Sequence, residues 1–251
     1  MAENEEQSDL RGKVALITGG ARRVGGAIAR RLHADGANIC VHYRSSAAEA
    51  EALVAELNTR RAGSACCQAA DLLANGTADG LIASVLGEWG RLDLLVNNAS
   101  SFYATPVGRI TAADWDDLLG TNLKAPLFLS QAATPALRSA QGSIINIVDI
   151  HGLRPLRDHP VYCVAKAGLA MLTRALARDL GPEIRVNGIA PGPVLWPDAG
   201  IDEPLKREIV KKTALKRRGS PADIARTALF LAKDAPYVTG QIIAVDGGRG
   251  I

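Results

Sequence analysis

The sequence is poor in cysteine and in aromatic residues. Its 251 residues include only four cysteines, three tryptophans, four tyrosines and three phenylalanines. The cysteines, Cys40, Cys66, Cys67 and Cys163, form no C-x-x-C pair and lie in apolar segments. This favours reduced core thiols over a disulfide framework or a zinc site. Neither metal nor thiol redox chemistry is therefore expected.

Long apolar runs and a strong excess of one charge are also missing. No apolar run approaches the roughly 20 residues of a membrane helix, and the acidic start MAENEEQSDL lacks the features of a secretory or transit peptide. Basic residues outnumber acidic ones by only 29 to 26. The basic cluster Lys211, Lys212, Lys216, Arg217 and Arg218 is interpreted as a solvated helix face. We expect a cytoplasmic protein that binds neither nucleic acid nor membranes, with residues 1–10 as a disordered tail.

Short apolar runs alternate with longer segments of helical periodicity. Seven strands are predicted at Val14–Thr18, Asn38–Tyr43, Ser64–Ala69, Leu92–Val96, Ser143–Val148, Arg185–Ile189 and Ile242–Val245. Helices are predicted from about Val24 and across 47–58, 81–89, 114–138, 161–179 and 221–232. Because short crossovers demand parallel pairing and the strands read as buried on both faces, we predict one doubly wound α/β domain of the Rossmann type over residues 11–251. The proline-rich stretch near 192–212 fits either a mobile substrate lid or an ordinary surface loop.

A glycine-rich turn follows the first predicted strand. Residues 18–28 read TGGARRVGGAI, which places glycines before a helix whose amino end can hold a pyrophosphate. A tight strand-to-helix turn gives the same pattern, but its position after the first strand favours dinucleotide binding. Asp71, which ends the third strand before Leu72, either accepts from the adenine amino group or caps a helix.

The chain has no acidic residue where NAD-dependent enzymes hold the ribose 2′-hydroxyl. The segment about 20 residues past the turn reads His42, Tyr43, Arg44, Ser45 and Ser46, and no Asp or Glu follows until Glu49. A guanidinium pairs with a 2′-phosphate and a hydroxyl donates to it. Arg44 and Ser45 therefore predict NADPH as the cofactor, the alternative being a solvated arginine at a strand end.

Tyr162 and Lys166 stand four residues apart at the start of the helix after the fifth strand. This spacing puts the phenol and the ammonium on one helix face. A phenol has an ordinary pKa of about 10, and a cation about 4 Å away can lower that pKa towards neutrality. The pair can therefore serve acid–base chemistry, although a packed tyrosine beside a solvated lysine gives the same spacing.

These features resemble the short-chain dehydrogenase/reductase family over nearly the whole chain after the tail. The resemblance rests on the turn at 18–25, Asn97-Asn98-Ala99, Asn122, the Tyr162/Lys166 pair and Pro191-Gly192. It implies that Tyr162 donates a proton, that Lys166 binds the nicotinamide ribose and lowers the pKa of Tyr162, and that Asn122 supports a proton-relay water. It also implies a homotetramer and cofactor contacts from Gly19, Arg22, Arg23, Val24, Gly25, Asn98, Ala99, Ser100, Pro191 and Gly192.

Two residues depart from the family pattern. Arg23 stands where most members carry the second glycine of the loop, and Asp149 stands where they carry a serine, thirteen residues before the tyrosine. An ionised carboxylate repels the alkoxide that forms in ketone reduction. It suits a ring nitrogen that gains a proton as hydride reaches the adjacent carbon. Alternatively, Asp149 caps a loop in a protein without activity.

With Arg23, residues 42–45, residues 97–103, Asp149 and Tyr162, the chain resembles the pteridine reductase group. The resemblance implies that Ser100 and Arg23 bind cofactor phosphates and pterin, that Phe102 stacks on the pterin ring, and that Asp149 and Tyr162 take part in protonation. The expected substrate is a dihydropterin or biopterin, with dihydrofolate and folate as further candidates. A carbonyl or 3-oxoacyl-carrier-protein reductase and an inactive nucleotide-binding regulatory protein are the alternatives.

Two aromatic residues have a second interpretation. Phe102 fits a position in the core as well as a role as a stacking platform, although it follows a strand at the carboxyl edge of the predicted sheet. Trp196, expected with His151 and Pro197 at the far side of the pocket, equally fits packing against a neighbouring subunit.

Overall fold

The computed structural model describes residues 9–196, 200 and 202–251. Seven parallel strands form one sheet in the order β3-β2-β1-β4-β5-β6-β7. They are β1 (Val14–Ile17), β2 (Asn38–Tyr43), β3 (Ala65–Ala69), β4 (Leu94–Asn97), β5 (Ser143–Ile147), β6 (Arg185–Pro191) and β7 (Ile242–Val245). The predicted doubly wound, seven-stranded parallel sheet is confirmed.

Helices cover both faces of the sheet. Those in the described part of the chain are α1 (Arg23–Ala34), α2 (Ala47–Arg60), α3 (Thr77–Trp89), α4 (Ala112–Leu119), α5 (Ala125–Ala140), α6 (Pro160–Leu180), α7 (Glu203–Lys211) and α8 (Pro221–Leu229). One core lies under α1, α2 and α8, and a second lies under α3, α5 and α6. In β1, Ala15 and Ile17 join the first core while Val14 and Leu16 join the second. The strands read as continuously apolar because both faces are buried.

The helix predicted across 114–138 is two helices joined by a π-helical turn, Gly120–Lys124. The apolar pattern runs through the turn, so the periodicity did not reveal it. A Cβ on Gly120 would lie 2.8 Å from a methyl of Leu73, and the turn buries the side chain of Asn122 completely. Such turns frequently occur at functional sites.

The stretch 192–212 contains α7, so interpreting all of it as a loop was wrong. Asp202 caps this helix by accepting from the N–H of Leu205 at 2.9 Å, and Pro204 lies in its first turn. Both are ordinary helix-start signals that the proline count concealed. The basic cluster is not one helix face either, because Lys211 ends α7 and residues 212–218 follow it.

Part of the predicted tail is ordered. Leu10 is buried, and its N–H donates to the carbonyl of Asp35 at 2.9 Å, so the ordered chain begins before residue 11. Residues 1–8 of that tail lie outside the described residues, as does Pro197.

Several further features bear on the chemistry open to the protein. Cys40 is buried, Cys66, Cys67 and Cys163 are half-buried, and all four are free thiols. Among residues 9–196, 200 and 202–251, no three metal-binding side chains converge on one point. No helix in the same ranges has the length and apolarity to cross a membrane.

The strand order places a ligand crevice at one edge of the sheet. The chain winds outwards from β1 to β2 and β3, then crosses back to β4 on the other side of β1. In open α/β sheets, ligands bind outside the carboxyl ends of the strands at this switch point. The glycine turn after β1, the segment after β2, Asp149 after β5 and the Tyr162/Lys166 pair near the start of α6 all lie at this edge.

Candidate active site

A cleft of about 1010 Å³ opens at this edge of the sheet. The predicted residues that line it are Gly19, Arg22, Arg23, Val24, Gly25, His42, Tyr43, Arg44, Ser45, Asp71, Leu72, Asn98, Ala99, Ser100, Phe102, Asp149, Tyr162, Lys166, Pro191, Gly192 and Trp196. His151 lines it too. Asn122 is not part of the lining and lies behind Ser100. The volume is at the upper end of ordinary ligand pockets.

Glycines keep the amino end of α1 open to the cleft. Gly19 has φ +57°, a backbone conformation that favours glycine. A Cβ on Gly25 would lie 2.5 Å from the carbonyl oxygen of Gly19 and 2.6 Å from Nδ2 of Asn98. Asn98 donates to the carbonyls of Thr18 and Gly19 at 2.9 and 3.0 Å, which holds the turn in place. The turn therefore fits a pyrophosphate against the helix end.

Arg23 adopts the backbone conformation of the glycine that it replaces. Its φ is +55°, in the left-handed region where a non-glycine residue is strained. Its Nη2 donates to the carbonyl oxygen of Trp196 at 3.0 Å. The arginine thus joins the cofactor turn to the segment that follows β6, a contact that glycine cannot make.

His42 fastens the glycine turn to the sheet. The N–H of Gly19 donates to Nδ1 at 3.2 Å, and Nε2 donates to the carbonyl oxygen of Ala70 at 3.1 Å. Burial lowers the pKa of His42, which keeps the ring neutral, as this bonding pattern requires. Both ring nitrogens are hydrogen-bonded to backbone groups. His42 therefore supports the glycine turn without offering a ring nitrogen to a cofactor.

The rim beyond β2 carries an available cation. Arg44 and Ser45 are exposed, and across the described residues the Arg44 guanidinium has neither a hydrogen-bond nor an ion-pair partner. Asp71 accepts from the N–H of Leu73 at 3.0 Å and so closes a turn. Because α3 is capped by Gly76, the alternative that Asp71 caps a helix was wrong.

At the centre of the cleft, the Tyr162 hydroxyl donates to Oδ2 of Asp149 at 2.9 Å. The other oxygen of Asp149 accepts from the N–H of His151 at 2.8 Å and caps a short 3₁₀ turn, Ile150–Gly152. Asp149 is therefore a loop cap and also the partner of the phenol. Burial and the negative charge of Asp149 raise the pKa of Tyr162 well above its ordinary value, and only the Ser100 hydroxyl acts against this.

Lys166 is fully buried beneath the phenol. Its Nζ donates to the carbonyl oxygen of Ile147 at 3.0 Å and lies 5.7 Å from the centroid of the Tyr162 ring. Burial lowers the pKa of Lys166 to about 8, against the opposing attraction of Asp149. Burial and the Asp149 carboxylate raise the pKa of Tyr162 in this structure, and the expectation that Lys166 lowers that pKa stays a prediction.

Asn122 fixes Ser100 beside the phenol. Its Nδ2 donates to the carbonyls of Ser101 and Leu118, both at 2.9 Å, and its Oδ1 accepts from the Ser100 hydroxyl at 2.6 Å. The side-chain amide is thus fully engaged within the protein. A relay water at Asn122 stays a prediction.

Phe102 is not a core residue, because it is 47% exposed. Its ring stacks on the imidazole of His159, with centroids 4.8 Å apart and planes 13° apart, and meets Tyr162 edge-on at 4.9 Å. Sequence reasoning missed His159. Its position just before the proline that begins α6 was the available signal.

The far side of the cleft is closed by Trp196 and residues from α7 and the C-terminal segment. The guanidinium of Arg218 lies over the Trp196 ring, 5.6 Å from its centroid, so this ring has a partner within the chain. Leu205, Ile209 and Arg249 line the same side and were not predicted, because they lie beyond the proline-rich stretch and match no motif.

The fold and the cleft are those of a dinucleotide-dependent oxidoreductase, and a buried phenol lies at the centre of the cleft. A family profile described as enoyl-(acyl carrier protein) reductase matches residues 19–249. Pteridine reductase 1 of Leishmania tarentolae is 38% identical over 95% of this chain and 96% of its own. The 3-oxoacyl-[acyl-carrier-protein] reductase FabG of Staphylococcus aureus strain N315 is 39% identical over 94% and 97%.

A solved structure gives the same result. A blue fluorescent protein from a metagenomic library, in complex with NADPH, is 38% identical with a TM-score of 0.91, covering 97% of this chain and 100% of that one. The chain belongs to the short-chain dehydrogenase/reductase family.

Dinucleotide affinity should depend on the charge of Lys166. The pKa of about 8 means that the ammonium is lost as pH rises through that value, and the family resemblance assigns this group to the nicotinamide ribose. We expect NADP⁺ to bind more weakly at high pH, with a dissociation constant, measured by calorimetry, that rises several-fold between pH 7 and pH 9. Lys166→Met should bind weakly with no such step, and a step of equal size in this variant would assign the pH dependence to another group.

Proposed function

We propose that this protein is an NADPH-dependent pterin reductase. Its substrates are dihydropterins and biopterin, with dihydrofolate and folate as further candidates. The observation that carries the proposal is the bond between the Tyr162 hydroxyl and the Asp149 carboxylate at 2.9 Å. A phenol paired with a carboxylate differs from the tyrosine–serine pair that suits a ketone.

The cofactor site supports NADPH over NADH. The glycine turn and the amino end of α1 would hold the pyrophosphate, and the exposed Arg44 would pair with a 2′-phosphate. When bound, NADPH supplies the hydride. A carboxylate at the position of Arg44 would repel that phosphate, and residues 44–48 include none.

The proton chemistry suits a ring C=N bond. As the ring carbon gains hydride, the adjacent nitrogen must gain a proton. A phenol of ordinary pKa is already protonated near neutral pH, and burial with the charge of Asp149 raises the pKa of Tyr162 further, so its hydroxyl carries a proton. Asp149 lies beside it and can accept hydrogen bonds from the N–H groups that a pterin ring carries.

Ketone reduction is the second candidate, favoured by the 39% identity to FabG. Its transition state places negative charge on oxygen, and the carboxylate of Asp149 would raise the energy of that charge. The fold accommodates both reactions, so the charge at this position separates them. An inactive regulatory protein is less well supported, because the glycine turn, Tyr162 and Lys166 all line the same cleft.

We also propose that the protein assembles as a homotetramer. The neighbouring helices α5 and α6 leave apolar side chains exposed, among them Leu127, Phe128, Val164 and Met171. Exposed apolar groups of this size commonly mark contact surfaces, and a second copy of the chain is the proposed occupant. A cytoplasmic location stays a prediction.

The substrate proposal is tested by NADPH oxidation with biopterin, dihydrobiopterin, folate, dihydrofolate and one β-ketoester. We expect turnover of the dihydropterin, and about a hundredfold loss of its kcat/KM in Asp149→Ser, which removes the carboxylate. Asp149→Asn is the matched control for folding, since its side-chain oxygen can still accept from His151.

Two outcomes would contradict this reading. Wild-type protein that consumed NADPH only with the β-ketoester would identify a ketone reductase. Equal effects of Asp149→Ser on pterin and ketoester would show that the carboxylate does not select the substrate.

The cofactor proposal predicts that Arg44→Asp shifts preference towards NADH. The substitution removes the guanidinium and adds a charge that repels a 2′-phosphate, so the ratio of kcat/KM for NADPH over NADH should fall by more than tenfold. Arg44→Gln removes only the attraction and should give an intermediate ratio. A ratio that stays at the wild-type value in both variants would refute the phosphate role.

The assembly proposal predicts a particle of four 26.3 kDa chains in light scattering after size exclusion. Phe128→Glu with Met171→Glu should give smaller particles, because charges would be buried in the contact. Val107→Glu, an exposed apolar site outside α5 and α6, is the matched control. A monomeric wild-type protein would overturn the proposal.

A further inference from the structure

We infer that His159 is a positioning residue that sets the ring of Phe102 for a flat substrate. The inference rests on the proposed function, because it assumes that Phe102 is the stacking platform. The two rings are nearly parallel, at 13°, with centroids 4.8 Å apart. His159 thus covers one face of Phe102, and both residues line the cleft, where Phe102 keeps about half of its surface exposed.

The imidazole is itself held firmly. Its Nδ1 donates to the carbonyl oxygen of Arg157 at 2.7 Å. Its backbone N–H donates to Leu156 at 3.2 Å, and its carbonyl accepts from Cys163 in the first turn of α6 at 3.0 Å. The following Pro160 further restricts its backbone. His159 therefore belongs to the rigid start of α6, the helix that also carries Tyr162.

Phe102 lacks support of this kind from its own backbone. It lies in the irregular segment between β4 and α4 and is about half exposed. Its aromatic neighbours in the described residues are His159 on its face and Tyr162 at its edge. Without the imidazole, the ring would keep only one of its two aromatic contacts, the edge contact with Tyr162, and we expect it to be less ordered before a substrate binds.

Fixing the ring in advance strengthens binding, because the ordering cost is met before the substrate arrives. A stacked aromatic pair is worth about 0.5–1.5 kcal/mol beyond its buried area, which corresponds to a factor of about two to ten in a dissociation constant. His159 acts through Phe102 and is assigned no proton transfer.

Two substitutions separate the stacking of His159 on Phe102 from its hydrogen bond to the carbonyl of Arg157. His159→Phe keeps a flat ring against Phe102 and loses the donor to Arg157. His159→Asn keeps a donor that can reach that carbonyl and loses the ring. A merely structural role of His159 would be preserved better by Asn, whereas the positioning role would be preserved better by Phe.

The test is a titration of the full protein, saturated with NADP⁺, with biopterin, followed by the fluorescence of the pterin. We expect His159→Phe to bind biopterin within about twofold of wild type and His159→Asn to bind about fivefold to tenfold more weakly. The thermal midpoint and the NADP⁺ dissociation constant of each variant report on folding.

Three results would overturn the inference. Wild-type affinity in His159→Asn would show that the stack is not needed. A greater loss of biopterin affinity in His159→Phe than in His159→Asn would assign the effect to the hydrogen bond with Arg157. No binding of biopterin by wild-type protein that still reduces a β-ketoester would overturn the proposed function itself, an outcome distinct from the first two.

Discussion

The bond between Asp149 and Tyr162 is the interaction on which the site depends. One oxygen of the carboxylate caps the turn after β5, and the other holds the phenol at the start of α6. The same charge raises the pKa of Tyr162 and opposes the loss of charge that burial imposes on Lys166. A single carboxylate therefore favours the protonated form of both neighbouring groups, alongside burial at Tyr162 and against burial at Lys166. A serine, which carries no charge, can do neither through electrostatics.

The sheet could be predicted from the sequence because its strands are buried on both faces. Apolar runs such as Leu94-Leu95-Val96 have one physical explanation in a chain of alternating strands and helices. The ends of the helices were harder to predict. The π-helical turn at Gly120–Lys124 interrupts no apolar pattern, and α7 with its capping residue Asp202 begins inside a proline-rich stretch that by composition predicts a loop. Local signals were present in both cases, namely Gly120 and the Asp202 and Pro204 helix start. The apolar periodicity and the proline content of the longer segments outweighed them.

The site was predictable where its chemistry lies in local spacing. Tyr162 and Lys166 face the same side because they are four residues apart on a helix. Contacts that join distant segments had no such signal. The role of His42 depends on Gly19 and Ala70, and the role of His159 depends on Phe102. The direction of the Tyr162 pKa also escaped prediction, since spacing shows the nearby ammonium but not the burial.

Overall similarity to known proteins does not separate the two candidate reactions, because identities of 38% and 39% to a pterin reductase and a ketone reductase are equal in practice. The separation must lie in a few groups that touch the reacting atoms. Under the proposed function, Asp149 would act in two directions there: its charge disfavours ionisation of the phenol, and it would repel the negative oxygen that a ketone would develop. Specificity of this kind needs an element that disfavours the competing substrate as well as one that favours the right one. The strained backbone of Arg23, with φ +55°, lies beside the cofactor turn, and residues in such conformations cluster at active sites and ligand-binding segments.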